Sequence, residues 1–195
     1  SLFFSSWSSK CAITSLSVSE LNSYPSLISF FFKNICPWEW HIQQDLVYDT
    51  GPATLKKINE FPQYKEAIEA FYGRFQEMII GVYDENINIA LELKKKKIPI
   101  FILSNFPGHQ FDIYTSNNDF INKFDDTIAS GKVGLKKPDK KIYELALKQF
   151  NCTPDKTLFI DDRPENTLSA NQMGIHTITL DKPEKLKNYI KKFNF

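Results

Sequence analysis

Long apolar runs are missing from this sequence. The longest apolar cluster, around Ile28 to Phe32, is too short and too interrupted to span a bilayer, so no membrane partner is expected. Nor does a charged leader precede a long apolar core near Ser1, so no secretory signal is expected either. An excess of charge is missing too. With 24 Lys+Arg against 23 Asp+Glu the net charge is +1, which gives no bulk attraction to nucleic acid or anionic lipid. Cysteine is scarce: Cys11, Cys36 and Cys152 are an odd number without metal-ligand spacing, which points to reduced thiols and a cytoplasmic setting. Acid is missing from one region. No aspartate precedes Asp45, and Glu20 is the only acid among residues 1–26, where serines crowd.

What is present suits one domain, or one domain carrying a sizeable insertion, at 195 residues with 42% hydrophobic content. Residues 1–26 lack periodicity, although Leu2-Phe3-Phe4 has the character of a short strand. From residue 27 to 80, aromatics, amides and charges mix at helical spacing, broken at Pro37, Gly51-Pro52 and Pro62. Ala67, Ile68, Phe71, Phe75 and Met78 predict an amphipathic helix. From residue 81 to 195 the pattern becomes β-α-β. Asp84 to Lys97 reads as a helix with Ile87, Ala90 and Leu91 on one face, its lysine-rich end complementing the dipole. Pro99 to Ser104 is apolar until its last residue, as a strand buried on both faces would be. Strands are further expected at Thr127–Ala129, from Thr157, and at His176–Leu180. Helices are expected at Asp139–Phe150, up to Gly174, and at Pro183–Phe193. Strands alternating with helices imply an α/β fold with a Rossmann-like, doubly wound parallel sheet.

The most informative stretch is Thr157-Leu-Phe-Ile-Asp-Asp-Arg-Pro-Glu-Asn166. A short apolar strand runs into two adjacent carboxylates, Asp161 and Asp162, where open α/β sheets place their ligands. Two ionised acids side by side need a cation or proton to compensate them. A hard divalent cation such as Mg²⁺ is the simplest choice; an Asp–Asp turn capping the next helix is the bland one. Ser104 and Asn105 offer a hydroxyl and an amide at the end of another buried strand. Lys137 stands just before a helix N-terminus, where cations and backbone N–H groups favour an anion. Taken singly, Ser104 also fits a strand-end cap and Lys137 a surface lysine. Together they spell a phosphate-handling site.

In order and placement these residues resemble the haloacid dehalogenase superfamily, specifically its small phosphatases with a helical cap inserted after the first strand. Ser104 in "ILSN" matches the second motif, whose hydroxyl binds the phosphoryl oxygen. Lys137 in "GLKKPD" matches the third, whose lysine steadies nucleophile and phosphate. Asp161 and Asp162 in "FIDDRPEN" match the fourth, which holds Mg²⁺, and Asn166 falls where relatives place an Asn near the site. The resemblance implies catalytic roles for Lys137, Ser104 and Asp162, substrate contacts from Ser104, Asn105, Lys137 and Asn166, and metal ligands in Asp161 and Asp162. It also implies a small phosphorylated substrate and a monomer or homodimer, with 27–80 as the cap and 81–195 as the core.

The family's first motif, Asp-x-Asp at the end of the first strand, does not match. It supplies the nucleophile and the acid–base. Counting back from the cap places it near Phe4 or Ser5, where the chain reads Leu2-Phe-Phe-Ser-Ser-Trp7. An altered N-terminus, by frame error or truncation, is expected ahead of a true pseudoenzyme. The other readings are a metal-free 2-haloacid dehalogenase, which the acid pair disfavours, and a non-catalytic binding protein. In the cap, Trp38, Trp40, His41, Gln43 and Gln44 suit a substrate entrance or the cap's own packing. His109 is expected to face solvent and His176 to be structural.

Overall fold

The computed structural model describes residues 2–4, 25–79 and 81–193. Ser5, the second of the two positions expected for the nucleophile, lies outside them. In chain order the strands are β1 (Leu2–Phe4), β2 (Ile100–Ser104), β3 (Asp126–Ala129), β4 (Leu158–Asp161) and β5 (His176–Thr179). They form one parallel sheet in the order β3-β2-β1-β4-β5. The short apolar segment at the start of the chain is therefore the central strand. Phe4 stands level with Ile102 of β2 and Ile160 of β4, so the carboxyl ends of all three lie side by side.

The helices are α1 (Pro25–Phe30), α2 (Trp38–Gln43), α3 (Gly51–Glu60), α4 (Lys65–Gly73), α5 (Asp84–Lys95), α6 (Gly108–Ser116), the single turn α7 (Ser130–Val133), α8 (Lys140–Gln149), α9 (Pro164–Asn171) and α10 (Leu186–Ile190). Alternation along β2 and β4 divides the core between the two faces of the sheet, as the period of two requires. Ile100, Ile102, Leu158 and Ile160 pack with Ala90 and Leu93 of α5 and Leu186 and Ile190 of α10. Phe101, Leu103 and Phe159 pack with Ile142, Tyr143 and Ala146 of α8 and Ala170 of α9. Phe101 stacks on Phe150 with centroids 4.3 Å apart.

Three expectations shift. Leu93, not Leu91, completes the buried stripe of α5, because Ile87, Ala90 and Leu93 recur every three residues. The helix through Phe71 stops at Gly73, a weak helix former, and a 3₁₀ turn (Phe75–Met78) carries Phe75 and Met78 into the same core. The final helix begins at Leu186, after a 3₁₀ turn at Pro183–Lys185.

The helical unit has a core of its own in Phe31, Ile35, Cys36, Ile68, Phe71, Tyr72, Phe75 and Met78. Phe106, two residues after β2, meets it edge-on at Phe75 with centroids 5.5 Å apart. A second seam runs along residues 42–48. Lys136 Nζ donates to Ile42 O (2.8 Å), Ser130 Oγ to Asp45 O (2.5 Å), Gly108 N to Val47 O (3.0 Å) and His109 N to Tyr48 O (2.8 Å). Glycine permits this approach: a Cβ on Gly131 would lie 2.3 Å from Gly108 N and 2.4 Å from Val47 O. None of the described helices is long and apolar enough to cross a membrane.

Candidate active site

Four expected residues converge at the carboxyl edge of the sheet. Since Ile102 and Ile160 are level across β1, Leu103 and Asp161 stand one residue beyond Phe4, and Ser104 and Asp162 two. The Lys137 ammonium joins the first pair. It donates to Leu103 O at 2.6 Å and lies 3.2 Å from Asp161 Oδ2. Leu103 and Asp161 flank the central strand, so this buried cation sits over its carboxyl end.

Burial pulls the Lys137 ammonium below the usual lysine range, while the charge of Asp161, its hydrogen bond, Asp162 and Asp45 work to hold the proton. Removing an ammonium from water is compensated here by a carboxylate and a carbonyl in direct contact. The main chain of Lys137 is fixed as firmly. Asn105 Nδ2 donates to Lys137 O and Lys137 N donates to Asn105 Oδ1, both at 2.9 Å. Both ends of the Asn105 side-chain amide, expected to contact phosphate, thus hold the main chain of Lys137. The Lys137–Pro138 bond is cis.

Asp161 is surrounded by donors. Arg163 N reaches Oδ1 at 2.7 Å, and Asn166 Nδ2 lies 3.1 Å from Oδ1 and 3.0 Å from Oδ2, with Lys137 on Oδ2. These contacts match the roughly four lone-pair sites of a carboxylate. Asn166 Nδ2 is thereby engaged with Asp161, and the main-chain carbonyl of Asn166 accepts from Tyr143 Oη at 2.9 Å. Asp162, half-buried immediately after β4, is the acid at the level of Ser104. Among the described residues no three His, Cys, Asp or Glu side chains cluster as a metal site. The donor chemistry nonetheless suits a hard cation: Asp162 offers carboxylate oxygen at the end of β4, across β1 from the Ser104 hydroxyl at the end of β2.

The helical unit supplies a residue that had not been singled out. Asp45 is buried, and loss of water pushes its carboxyl up to about 6, against Lys136, Lys137 and Arg163, which lower it. Its signal in the sequence was position alone, as the first aspartate of the chain. His41 belongs to the interior: Nδ1 is 3.0 Å from Tyr72 Oη, and burial lowers its pKa to about 4. Gln44 is buried and bonds back to Trp40 O, and Trp40 packs on Phe71 and Tyr72. Trp38 is 53% exposed. His109 is exposed, and His176 is exposed with Nε2 3.1 Å from Asp155 O.

The family described as haloacid dehalogenase-like hydrolase matches residues 42–180. A sesquiterpene phosphatase of Aspergillus oryzae is 32% identical over 84 residues, 43% of this chain and 43% of that protein. The chain thus covers less than half of that relative. A phosphorylated carbohydrates phosphatase of Thermotoga maritima is 25% identical over 161 residues, 69% of this chain and 74% of that one. A magnesium complex of a HAD family enzyme from Bacteroides thetaiotaomicron superposes with a TM-score of 0.70 at 16% identity, covering 97% of each chain.

Proposed function

The chain belongs to the haloacid dehalogenase-like hydrolases, and from that premise we propose that its site binds the phosphoryl group of small phosphomonoesters with Mg²⁺. The observation that carries this reading is the Lys137 ammonium held over the end of β1 by Leu103 O and Asp161, with Ser104 and Asp162 one residue further out. A fixed cation and a hydroxyl at that point neutralise a dianion without reorganising. Asp162 would hold Mg²⁺, which supplies a Lewis acid at the phosphoryl oxygen. Asp161, its oxygens already engaged by three donors in four contacts, orients Lys137. Asn105 and Asn166 act one step further out, each fixing a member of that ion pair. The phosphatases among the relatives, and the magnesium bound by the Bacteroides enzyme, support the same reading. The cysteine usage suits a cytoplasmic protein.

The family's covalent step needs an aspartate nucleophile and a second aspartate as acid–base, and the sequence from Leu2 to Gln44 holds neither. We therefore propose that the chain as it stands binds phosphate and hydrolyses its esters at or near background. An aryl phosphate assay with Mg²⁺ compares this chain with Ser5→Asp/Trp7→Asp. The double variant should gain metal-dependent turnover and either single variant little, since nucleophile and acid–base act as a unit. Robust metal-dependent hydrolysis by the unaltered chain would mean that another residue is the nucleophile.

A further inference from the structure

We infer that Tyr143 is a positioning residue of the phosphate site: by its hydroxyl and by its ring it fixes the pair of Asp161 and Lys137 on which phosphate binding depends. The inference rests on the phosphate-binding reading above and adds to it a residue of α8 that acts through its neighbours.

Tyr143 lies on the buried face of α8 with Ile142 and Ala146. A ring without a polar tip fills such a position, and a buried hydroxyl is tolerated there only when it is bonded. The Tyr143 hydroxyl donates to Asn166 O at 2.9 Å. Asn166 is the third residue of α9, and its Nδ2 lies 3.1 Å from Oδ1 and 3.0 Å from Oδ2 of Asp161. Asp161 Oδ2 in turn lies 3.2 Å from Lys137 Nζ. Tyr143, Asn166, Asp161 and Lys137 are each 2% exposed or less, so water does not compete for these links.

The ring supplies a separate route. Phe159 and Asp161 stand two residues apart in β4 and so share one face of the sheet. The Tyr143 ring meets Phe159 nearly at right angles, with centroids 5.5 Å apart. The Lys137 ammonium lies 5.7 Å from the centroid of that same Phe159 ring, within reach of a cation–π contact. Three groups thus surround the ammonium: Leu103 O, Asp161 and the Phe159 ring. Two of the three lead back to Tyr143. A lysine stem is flexible, and fixing its cation before a ligand arrives removes that ordering from the cost of binding.

The test uses the whole chain with Mg²⁺. Calorimetry follows the binding of inorganic phosphate, and proton–nitrogen NMR follows the Lys137 ammonium, its resonance identified by its absence from Lys137→Met. Tyr143→Phe removes the hydroxyl alone and should weaken phosphate binding about tenfold, with the ammonium resonance shifted or broadened. Tyr143→Leu removes the ring as well and should weaken binding further. Phe150→Leu thins the same core cluster where Phe150 stacks on Phe101. It should lower the melting temperature and leave phosphate affinity and the resonance unchanged. Asn166→Ala should weaken binding to a similar degree as Tyr143→Phe. Adding Tyr143→Phe to it should then cost little more, because the hydroxyl acts through Asn166. An unchanged affinity or an unchanged resonance in Tyr143→Phe, or a loss of affinity that Phe150→Leu reproduces, overturns the positioning role. Failure of the unaltered chain to bind phosphate overturns the phosphate-binding reading, and the resonance then still decides whether Tyr143 fixes Lys137.

Discussion

The site turns on single side chains whose surroundings decide their chemistry. Lys137 is buried and committed at both ends, its ammonium to Leu103 O and Asp161 and its main chain to Asn105. Lys137→Met removes one partner of a buried pair and leaves Asp161 charged with less compensation. Urea denaturation should show a loss of about 3–5 kcal/mol. A loss below about 1 kcal/mol would mean that the pair is screened by water and that the site is more open than described. This residue could be read in the sequence from its place before a helix. Its partnership with a main-chain carbonyl could not, because Leu103 O becomes an acceptor only when β2 ends beside β1.

Asp45 and His41 make an opposed pair of titrations. Asp45, raised from 3.8 to about 6, stabilises the fold fully below pH 3.8 and loses that contribution as pH rises through 6. His41, lowered from 6.5 to about 4, contributes fully above pH 6.5 and loses it as pH falls through 4. Between pH 4 and 6 the two slopes largely offset each other. Asp45→Asn should uncover the histidine, so that stability rises by about 2–3 kcal/mol across that window in chemical denaturation. An unchanged, flat profile in the variant would show that Asp45 does not titrate there.

Elements fix where those side chains meet. The alternation in β2 and β4 and the spacing of α8 were legible, since a period of two or of nearly four survives in the sequence whatever the neighbours do. The central strand was harder. Leu2-Phe3-Phe4 is three residues long, and its pairing with β2 and β4, about 98 and 156 residues away, cannot appear in local sequence. The seam along residues 42–48 was also hidden, being made of main-chain bonds and the missing side chains of Gly108 and Gly131. Gly131→Ala should cost at least about 1–3 kcal/mol, because its Cβ would meet backbone atoms that cannot swing aside. Gly73→Ala, with open space around its Cβ, should be neutral or slightly stabilising. Equal melting temperatures for the two variants would argue that the seam is loose.

At the scale of the whole molecule, the sheet brings the carboxyl ends of β2 and β4 to the two sides of β1, with Lys137 bridging them and the helical unit pinned above through residues 42–48. Motif order disclosed the family because chemistry at strand ends leaves a mark in the sequence. The different surroundings of Asp161 and Asp162 stayed hidden, since adjacent acids look alike until their donors are placed. The most direct test is the binding of inorganic phosphate, followed by calorimetry with Mg²⁺ and again with chelator, in the unaltered chain and in Asp162→Asn. The unaltered chain should bind phosphate only when Mg²⁺ is present, and Asp162→Asn should lose at least about tenfold in affinity while melting at an unchanged temperature. Phosphate bound equally with and without Mg²⁺, and equally by the variant, would contradict a metal-assisted site at the end of β4.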